Sequence, residues 1–518
     1  QFFQHKLEVK EEGKFFVRAY MTHEDAGNSY DPVFTANRIQ SLARSDGAWV
    51  QAYREVWQRD YAPLVRQFEG YPAAPTFPDF FFDFEQQARV IEENKDQIAI
   101  WHRELRERLE GTNGLMNPAS AAFQAAFDSI TSRIITKEGG TKFFDTSALY
   151  HLHGEYKFKP SWAEITVGAN GRYYTPFTQG SIFADTGDVR LTNLEYGVYA
   201  GAKKNLAGDR LLLTGTLRMD KNQNFNMLFS PALTGLYKFN EKNSIRASVS
   251  SAIRNPTLAD QFLRFDVGGA VLSGNISGFQ DLIELDSLRA FFETLDQSLL
   301  LPFDLDPIQP EKVTTYEFGY RGLLGERVYI DAGYYFSRYT DFIGFRVAFS
   351  GDIVNGFPIG NVLRISANAE DIVTTQGAAI GFNYFINQKY TIGGNYSWNV
   401  LNTESDDPIV PAFNTPEHKF NVNLGARDVE IAGVSGFGFN VNYKWVEGFL
   451  FEGSPQFTGL VPTYDLLDAQ INKYFPKLHT TLKLGASNIL NNEVFTVYGG
   501  PRIGRLAYLS LTYDFSDI

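Results

Sequence analysis

The chain has 518 residues, a net charge of −13 and no cysteine. The charge argues against nucleic acid or an anionic membrane surface as the main partner, and the missing thiols exclude disulfides and thiolate metal sites. No run of 18 or more apolar residues occurs, which excludes a transmembrane helix but leaves a β-barrel open, because barrel strands alternate.

The strongest signal along the chain is the alternation of apolar and polar residues over segments of roughly ten residues. Side chains of a strand point to opposite faces, so each segment has one apolar and one polar row. Clear apolar rows are Phe420, Val422, Leu424 and Ala426, and Ala507, Leu509, Leu511, Tyr513 and Phe515. About 17 such segments predict an all-β fold, a large antiparallel transmembrane β-barrel. The chain starts within the first of them, Phe2 to Lys10, so we expect an incomplete or processed polypeptide.

Short and long connections alternate between these segments. Short polar links such as 10–13 and 240–243 read as hairpin turns. The predicted long loops are 25–145, 254–310, 348–361, 402–416, 449–462 and 491–505. This alternation is typical of outer-membrane barrels, and places barrel strands in 1–24 and 146–518. A soluble β-sandwich, propeller or antiparallel enzyme is disfavoured, because many of the predicted strands are longer than the usual length of about five or six residues.

One segment, 25–145, breaks the β pattern and reads as a largely helical insert facing the cell exterior. Three helical pieces are predicted, over 36–60, over 84–110 with Asp83 as N-cap, and over 118–134 with Asn117 as N-cap. Between the first two pieces, 71–84 reads as irregular chain. Aromatic stripes on the helices fit either a small self-packed cap or a platform for a ligand or partner.

No arrangement of residues indicates a catalytic site, so we predict that the protein is not an enzyme. His151, His153 and Glu155 share the inner face of one strand and suit either a metal or a polar barrel wall. An acidic loop suits either Ca²⁺ or a solvated surface; its residues are Asp281, Glu284, Asp286, Glu293, Asp296, Asp304 and Asp306. We predict no resident metal and no cofactor.

Four short motifs carry a family resemblance. They are Ser250 to Leu258, Pro310 to Lys312 followed by Tyr316 to Arg321, Gly485 to Asn491, and Pro501-Arg502 before the last strand. In this order they resemble the carboxyl-terminal barrel portion of TonB-dependent outer-membrane receptors. The insert, with Gly139 to Asp145, resembles the Bacteroidetes-type subgroup that has a carboxypeptidase-like regulatory domain. The resemblance implies roughly 22 strands around a plug, with the plug outside this chain.

The resemblance also implies a function and a location. A receptor of this family lies in the Gram-negative outer membrane and imports a scarce or bulky ligand, here a siderophore, glycan or peptide. TonB and the inner-membrane motor drive the import by acting on the plug. The candidate ligand contacts are Arg254, Asn255, Tyr498, Arg502 and Arg505, although Arg254 and Arg502 suit loop anchoring equally well. The alternative is a barrel subunit of a larger envelope complex, whose helical insert docks a surface lipoprotein or other protein.

Overall fold

The computed structural model describes residues 1–73, 83–111, 116–135, 137–354, 357–402, 407, 409, 413–453 and 458–515. Most of the predicted irregular segment 71–84, and parts of the predicted loops 402–416 and 449–462, lie outside these residues. The chain divides into two compact units. The helical unit comprises Gln1, Glu24–Thr146 and Thr178–Ile182, and the β unit comprises Phe2–His23, Ser147–Phe177 and Phe183–Ile518.

The strands and helices have the following bounds. In chain order the strands are β1 Phe2–Glu11, β2 Phe15–Glu24, β3 Ala148–Phe158, β4 Glu164–Thr175, β5 Asn193–Leu206, β6 Leu211–Asn222, β7 Leu228–Asn240, β8 Asn243–Arg254, β9 Arg264–Asp266, β10 Val271–Ser273, β11 Phe279–Glu284, β12 Pro302–Leu305, β13 Glu311–Leu324, β14 Val328–Thr340, β15 Ile343–Val354, β16 Phe357–Asn368, β17 Val373–Phe385, β18 Tyr390–Asn402, β19 His418–Ile431, β20 Val434–Val446, β21 Phe449–Phe451, β22 Gly459–Val461, β23 Tyr464–Phe475, β24 Thr480–Ser487 and β25 Leu506–Tyr513. The helices are α1 Pro32–Ala43, α2 Asp46–Val56, α3 Ala62–Val65, α4 Phe84–Glu93, α5 Lys95–Gly111, α6 Ala121–Ser132, α7 Leu258–Phe262 and α8 Leu285–Thr294.

The long strands form one 17-stranded sheet, which confirms the predicted all-β class. Its members are β1–β8, β13, β14, β17–β20 and β23–β25. Within this sheet, residues that lie opposite each other on neighbouring strands match in polarity. Leu424 lies opposite Val441 and Asn423 opposite Asn442 in the β19–β20 pair. Each strand therefore contributes to one continuous apolar face and one continuous polar face.

The apolar face of this large sheet is the exposed one. Val422 and Leu424 are 44% and 39% exposed, whereas the alternating neighbours Asn421 and Asn423 are partly buried. The polar side chains bond among themselves, as between Asn421 Nδ2 and Asn395 Oδ1 at 3.0 Å. A sheet that shows hydrocarbon outward and amides inward is built for lipid outside and a polar interior. We call these two surfaces the outer and the inner face.

A second sheet of six strands corrects the predicted loop 348–361. The described residues of that range, 348–354 and 357–361, lie on β15 and β16, which pair with each other along their whole length. The order of the six strands is β12-β11-β15-β16-β10-β9. The two strands approach closely at a pair of glycines, since a Cβ on Gly351 would lie 2.6 Å from the Cα of Gly360. Leu282, Ala348 and Ile365 have no exposed surface between these strands. Two long connections, 255–310 and 341–372, thus build one compact structure.

In the helical unit, local capping moves two predicted boundaries. Asp83 caps α4 as predicted, but the helix is interrupted at Asn94 before α5 begins. The third helix begins at Ala121, because Ser120 Oγ accepts the amide of Phe123. Asn117 instead accepts the amide of Ala119, in a turn outside the helix. No helix among the described residues is both long and apolar enough to cross a membrane.

Candidate functional site

A polar cavity of about 720 Å³ lies against the inner face of β4–β8, where these strands enter their longer connections. Because the outer-face residues of the same strands are apolar, the charged side chains of this region are concentrated on the inner face. Its polar lining includes Asn170, Arg172, Asn193, Glu195, Arg218, Asp220 and Asn255.

The carboxylate of Glu195, on β5, is the central hydrogen-bond acceptor of the cavity wall. Asn222 Nδ2 donates to its Oε1 at 2.9 Å, and Asn255 Nδ2 donates to the same oxygen at 3.3 Å. Arg172 lies directly opposite Glu195 across the β4–β5 pair, with Nη1 3.9 Å from Oε2. Three elements therefore converge on one carboxylate, and the first residue after β8 is fixed to β5.

Arg218 on β6 is held in the same way. Its Nε donates to Asp220 Oδ2 at 2.7 Å, and its Nη2 donates to Asn170 Oδ1 at 2.8 Å. Asn193 is only 2% exposed, and its Oδ1 has no partner among the described residues. The cavity thus presents compensated charges, which suit a polar ligand recognised by hydrogen bonds.

Of the predicted contact residues, Asn255 lies in the cavity wall and its neighbour Arg254 is not among the lining residues. Arg254 Nη1 lies 3.5 Å from Glu311 Oε2, in an ion pair that joins β8 to β13. Glu311 is 5% exposed and also accepts the amide of Ile343 at 2.9 Å. This geometry gives Arg254 the anchoring position, at the base of the six-stranded sheet.

The other three predicted contacts lie in the connection 488–505 and not at the cavity. The ring of Tyr498 covers Gly459, where an added Cβ would lie 2.4 Å from it. Arg502 places its guanidinium 5.9 Å from the ring centre of Phe495. The Arg505 amide donates to Asn491 Oδ1 at 2.9 Å. These contacts order the connection itself.

One of the two inner-face histidines, His153, takes part in a hydrogen-bonded chain, whereas both ring nitrogens of His151 are buried without a hydrogen-bond partner among the described residues. His153 Nε2 lies 3.0 Å from Tyr199 Oη, which donates to Glu155 Oε2 at 2.8 Å. The His151 and His153 rings are 6.0 Å apart. Across the described residues, no group of three or more His, Cys, Asp or Glu side chains is arranged to hold a metal ion. His153, Tyr199 and Glu155 therefore bond to one another along the inner face.

The acidic residues of 281–306 are engaged separately. Asp304 Oδ1 accepts the Asp281 amide at 3.0 Å, and Asp286 pairs with Arg289 at 3.0 Å. Hydrogen bonds from Ser298 lower the pKa of Asp296 below its usual range. These carboxylates bond to groups in their own turns and helices and do not converge on one point.

Arg364 and Glu452 form a second charged group, in the connections outside the large sheet. The Arg364 guanidinium stacks on Phe345, with its Cζ 3.6 Å from the ring centre. Burial lowers the pKa of Arg364, and burial raises the pKa of Glu452 against the opposing effect of Arg364. The two charges therefore stabilise each other in a poorly hydrated place.

Comparison with known proteins identifies the fold. The family model described as "TonB dependent receptor-like, beta-barrel" matches residues 25–489. No curated protein matches the chain. Similar solved structures include the siderophore receptor PirA from Acinetobacter baumannii, with 14% identity over 73% of this chain and 57% of that one and a TM-score of 0.51.

Two further structures show the same fold. The FrpB iron transporter from Neisseria meningitidis has 13% identity over 72% of this chain and 56% of its own, with a TM-score of 0.51. A mutant of the ferric enterobactin receptor PfeA from Pseudomonas aeruginosa has 12% identity over 98% of this chain and 61% of its own, with a TM-score of 0.54. The chain thus spans less than two thirds of the length of these proteins. It belongs to the TonB-dependent receptor β-barrel family of the outer membrane.

Proposed function

We propose that this outer-membrane chain is the barrel part of a receptor for TonB-dependent import of a scarce or bulky ligand. The observation that carries the proposal is the polar cavity on the inner face of β4–β8, built around Glu195 and Arg218. A ligand captured by the long connections would meet this wall on its way inward. The plug that closes the lumen, and through which TonB acts, is proposed to lie outside these 518 residues.

The charge state of the cavity bears on the ligand. Arg218 is compensated by Asp220 and Arg172 faces Glu195, so the wall offers hydrogen bonds without a large excess of either charge. The similar structures include siderophore receptors, which supports iron chelates as one ligand class. Glycans and peptides suit the same donors and acceptors. Iron chelates, glycans and peptides are therefore all supplied as candidate ligands in the test.

The test compares cells that have or lack the complete receptor, with TonB intact or deleted. Labelled ferric siderophores, neutral oligosaccharides and peptides are supplied, and intracellular label is measured with and without a protonophore. The proposal predicts accumulation of one class only when receptor, TonB and proton gradient are all present. Uptake that persists without TonB would identify a passive pore instead.

The double variant Glu195→Ala with Asn255→Ala makes this test specific to the cavity, because it removes the Glu195 carboxylate and one of its hydrogen-bond donors. We expect it to weaken uptake while the protein stays in the membrane. Arg289→Ala is the control, since the Arg289 side chain is 76% exposed on α8 and, among the described residues, its ion pair is with Asp286 one turn away. Equal loss of uptake in both variants would contradict a role for the cavity.

A second function, as a subunit of a larger envelope complex, is favoured by the surface of the helical unit. Leu42, Phe84 and Ile100 are 64%, 73% and 42% exposed there. Apolar exposure of this extent suits a protein partner such as a surface lipoprotein. Co-purification of a stoichiometric partner that Leu42→Glu abolishes would support it. The exterior location of this unit, and the Bacteroidetes-type subgroup, belong to the same proposal.

A further inference from the structure

A groove of about 800 Å³ lies on the outer face between two neighbouring short turns, 12–14 and 159–163. The first turn joins β1 to β2, and the second joins β3 to β4, so both belong to the same rim of the large sheet. Hydrogen bonding from the Lys157 amide to the Lys14 carbonyl, at 2.7 Å, holds the turns side by side. The polar cavity around Glu195 and Arg218 lies at the opposite end of β4.

The wall of the groove continues the apolar outer row of β3. Tyr150, Leu152, Tyr156 and Phe158 follow each other at every second or fourth position and are 47%, 59%, 38% and 48% exposed. The Tyr156 and Phe158 rings are 4.6 Å apart, and Phe158 pairs with Ile165 across the turn. In an outer-membrane protein this row contacts lipid, and its aromatic end marks the level of the headgroups.

The floor of the groove carries charges of both signs. Lys14 pairs with Glu11 at 3.1 Å, and Lys157 turns inward to Glu155 at 3.7 Å. Lys159 and Glu12 are exposed, and among the described residues neither takes part in an ion pair. Lys159 Nζ reaches across to the first turn, 3.5 Å from the place where a Cβ on Gly13 would stand. The Lys159 ammonium therefore lies close to Gly13, the residue that follows Glu12 in the first turn.

We propose that this groove is a binding site for a phospholipid with a phosphoethanolamine headgroup. The acyl chains follow Tyr156, Phe158 and Ile165, the phosphate pairs with Lys159, and the ammonium pairs with Glu12. A primary ammonium donates hydrogen bonds to a carboxylate, whereas a choline group has no N–H to donate. A phosphoglycerol headgroup has no cation for Glu12. The site is independent of the import function.

The experiment uses the complete purified protein in detergent. It is equilibrated with equal amounts of phosphatidylethanolamine, phosphatidylglycerol and phosphatidylcholine of identical acyl chains, and native mass spectrometry counts the lipids retained. Phosphatidylethanolamine should be retained about two- to fivefold over each of the others, the range of an exposed ion pair. Glu12→Ala should remove this preference, because Glu12 is the partner of the ammonium. Lys159→Ala should lower the retention of all three lipids, because each of them carries the phosphate that Lys159 pairs with. Phe158→Ala should lower the retention of all three lipids.

Matched controls lie on other short turns of the same rim. Lys477→Ala and Glu241→Ala remove the same charges from turns 476–479 and 241–242, and should leave both the retention of the lipids and the preference intact. Free phosphorylethanolamine should compete poorly, because it lacks the apolar part that the aromatic wall contacts. Equal retention of ethanolamine and choline lipids, a preference for phosphatidylglycerol, or equal losses in the control variants would each overturn the proposal.

Discussion

The two large sheets of this protein place the same residue types in opposite surroundings. In the 17-stranded sheet the leucines are on the exposed face, as with Leu424 at 39% and Leu484 at 56%. In the six-stranded sheet, Leu282 and Ile365 are fully buried. The large sheet has an arrangement suited to lipid, and the small sheet has a core suited to water.

This difference indicates which segments of the chain lie in the membrane and which lie in water. The small sheet is made only of connections between large-sheet strands, and it packs α8 against β11 and β15 through Phe291, Ile283 and Phe349. Such a core is stable only where water surrounds it. Variants that remove apolar groups should therefore harm the small sheet, while variants that add charge should harm the outer face of the large one.

The largest effect is expected in the core of the small sheet. Phe291 is 1% exposed, and Phe291→Ala should reduce the local free energy of unfolding by roughly 3–5 kcal/mol. Hydrogen exchange should accelerate at β11 and β15 and stay unchanged at β19 and β20. Phe292→Ala is the control, because Phe292 is 49% exposed and its removal should change little. Equal effects of the two variants would contradict a packed core.

The next effect concerns the outer face. Leu424→Arg should reduce the free energy of unfolding in lipid by about 2–4 kcal/mol if Leu424 lies near the bilayer midplane. Asn423→Arg, one residue away on the inner face, should be tolerated. Unfolding in urea from lipid vesicles measures both variants. Comparable losses at the two positions would show that the faces do not meet different solvents.

A smaller effect is expected where the two sheets are joined. Glu311→Ala removes the acceptor of the Ile343 amide and should cost about 1–3 kcal/mol locally. Faster hydrogen exchange of that amide is the readout. Glu317→Ala on the same strand is the control, since Glu317 is exposed and, within the described part of the chain, accepts a side-chain hydrogen bond from Ser248 alone, at 2.9 Å. An unchanged Ile343 amide in the first variant would show that Glu311 does not anchor β15.

The smallest effect is a pH dependence in the helical unit. His102 stacks on Trp57 with ring centres 3.9 Å apart, and burial, with a lesser contribution from Arg106, lowers the pKa of His102. The unfolded chain therefore takes up a proton first as the pH falls below about 6.5, and stability is lost on acidification. Thermal unfolding between about pH 8 and 5 measures this. His102→Gln should flatten the profile, and an unchanged slope would contradict the assignment.

The large sheet could be predicted from the sequence because its signal is local. Two rows alternate within each strand, so Val422 and Asn423 reveal their faces without knowledge of any partner. The small sheet could not be predicted in the same way. There β16 pairs in parallel with β10, with Leu363 opposite Val271, and β15 contains Gly351 where the backbones touch. Long-range pairings of this kind have no local pattern.

The site was predicted only in part, for the same reason. Asn255 lies within the motif Ser250 to Leu258, and the structure places it in the cavity wall. Glu195 and Arg218 were missed, because every inner-face position of a barrel strand is polar and alternation does not distinguish among them. Only the register, which sets Arg172 opposite Glu195, shows which of these side chains meet. A prediction of strand register would have supplied that signal.

The absence of cysteine allows the central claim to be tested directly, since any introduced thiol is unique. Single cysteines at positions 421 to 424 of β19 are placed in lipid vesicles and probed with a membrane-impermeant maleimide and with brominated lipids that quench an attached fluorophore. The account predicts quenching by lipid at positions 422 and 424, and none at 421 and 423. Quenching at all four positions, or at none, would contradict the assignment of lipid to the outer face.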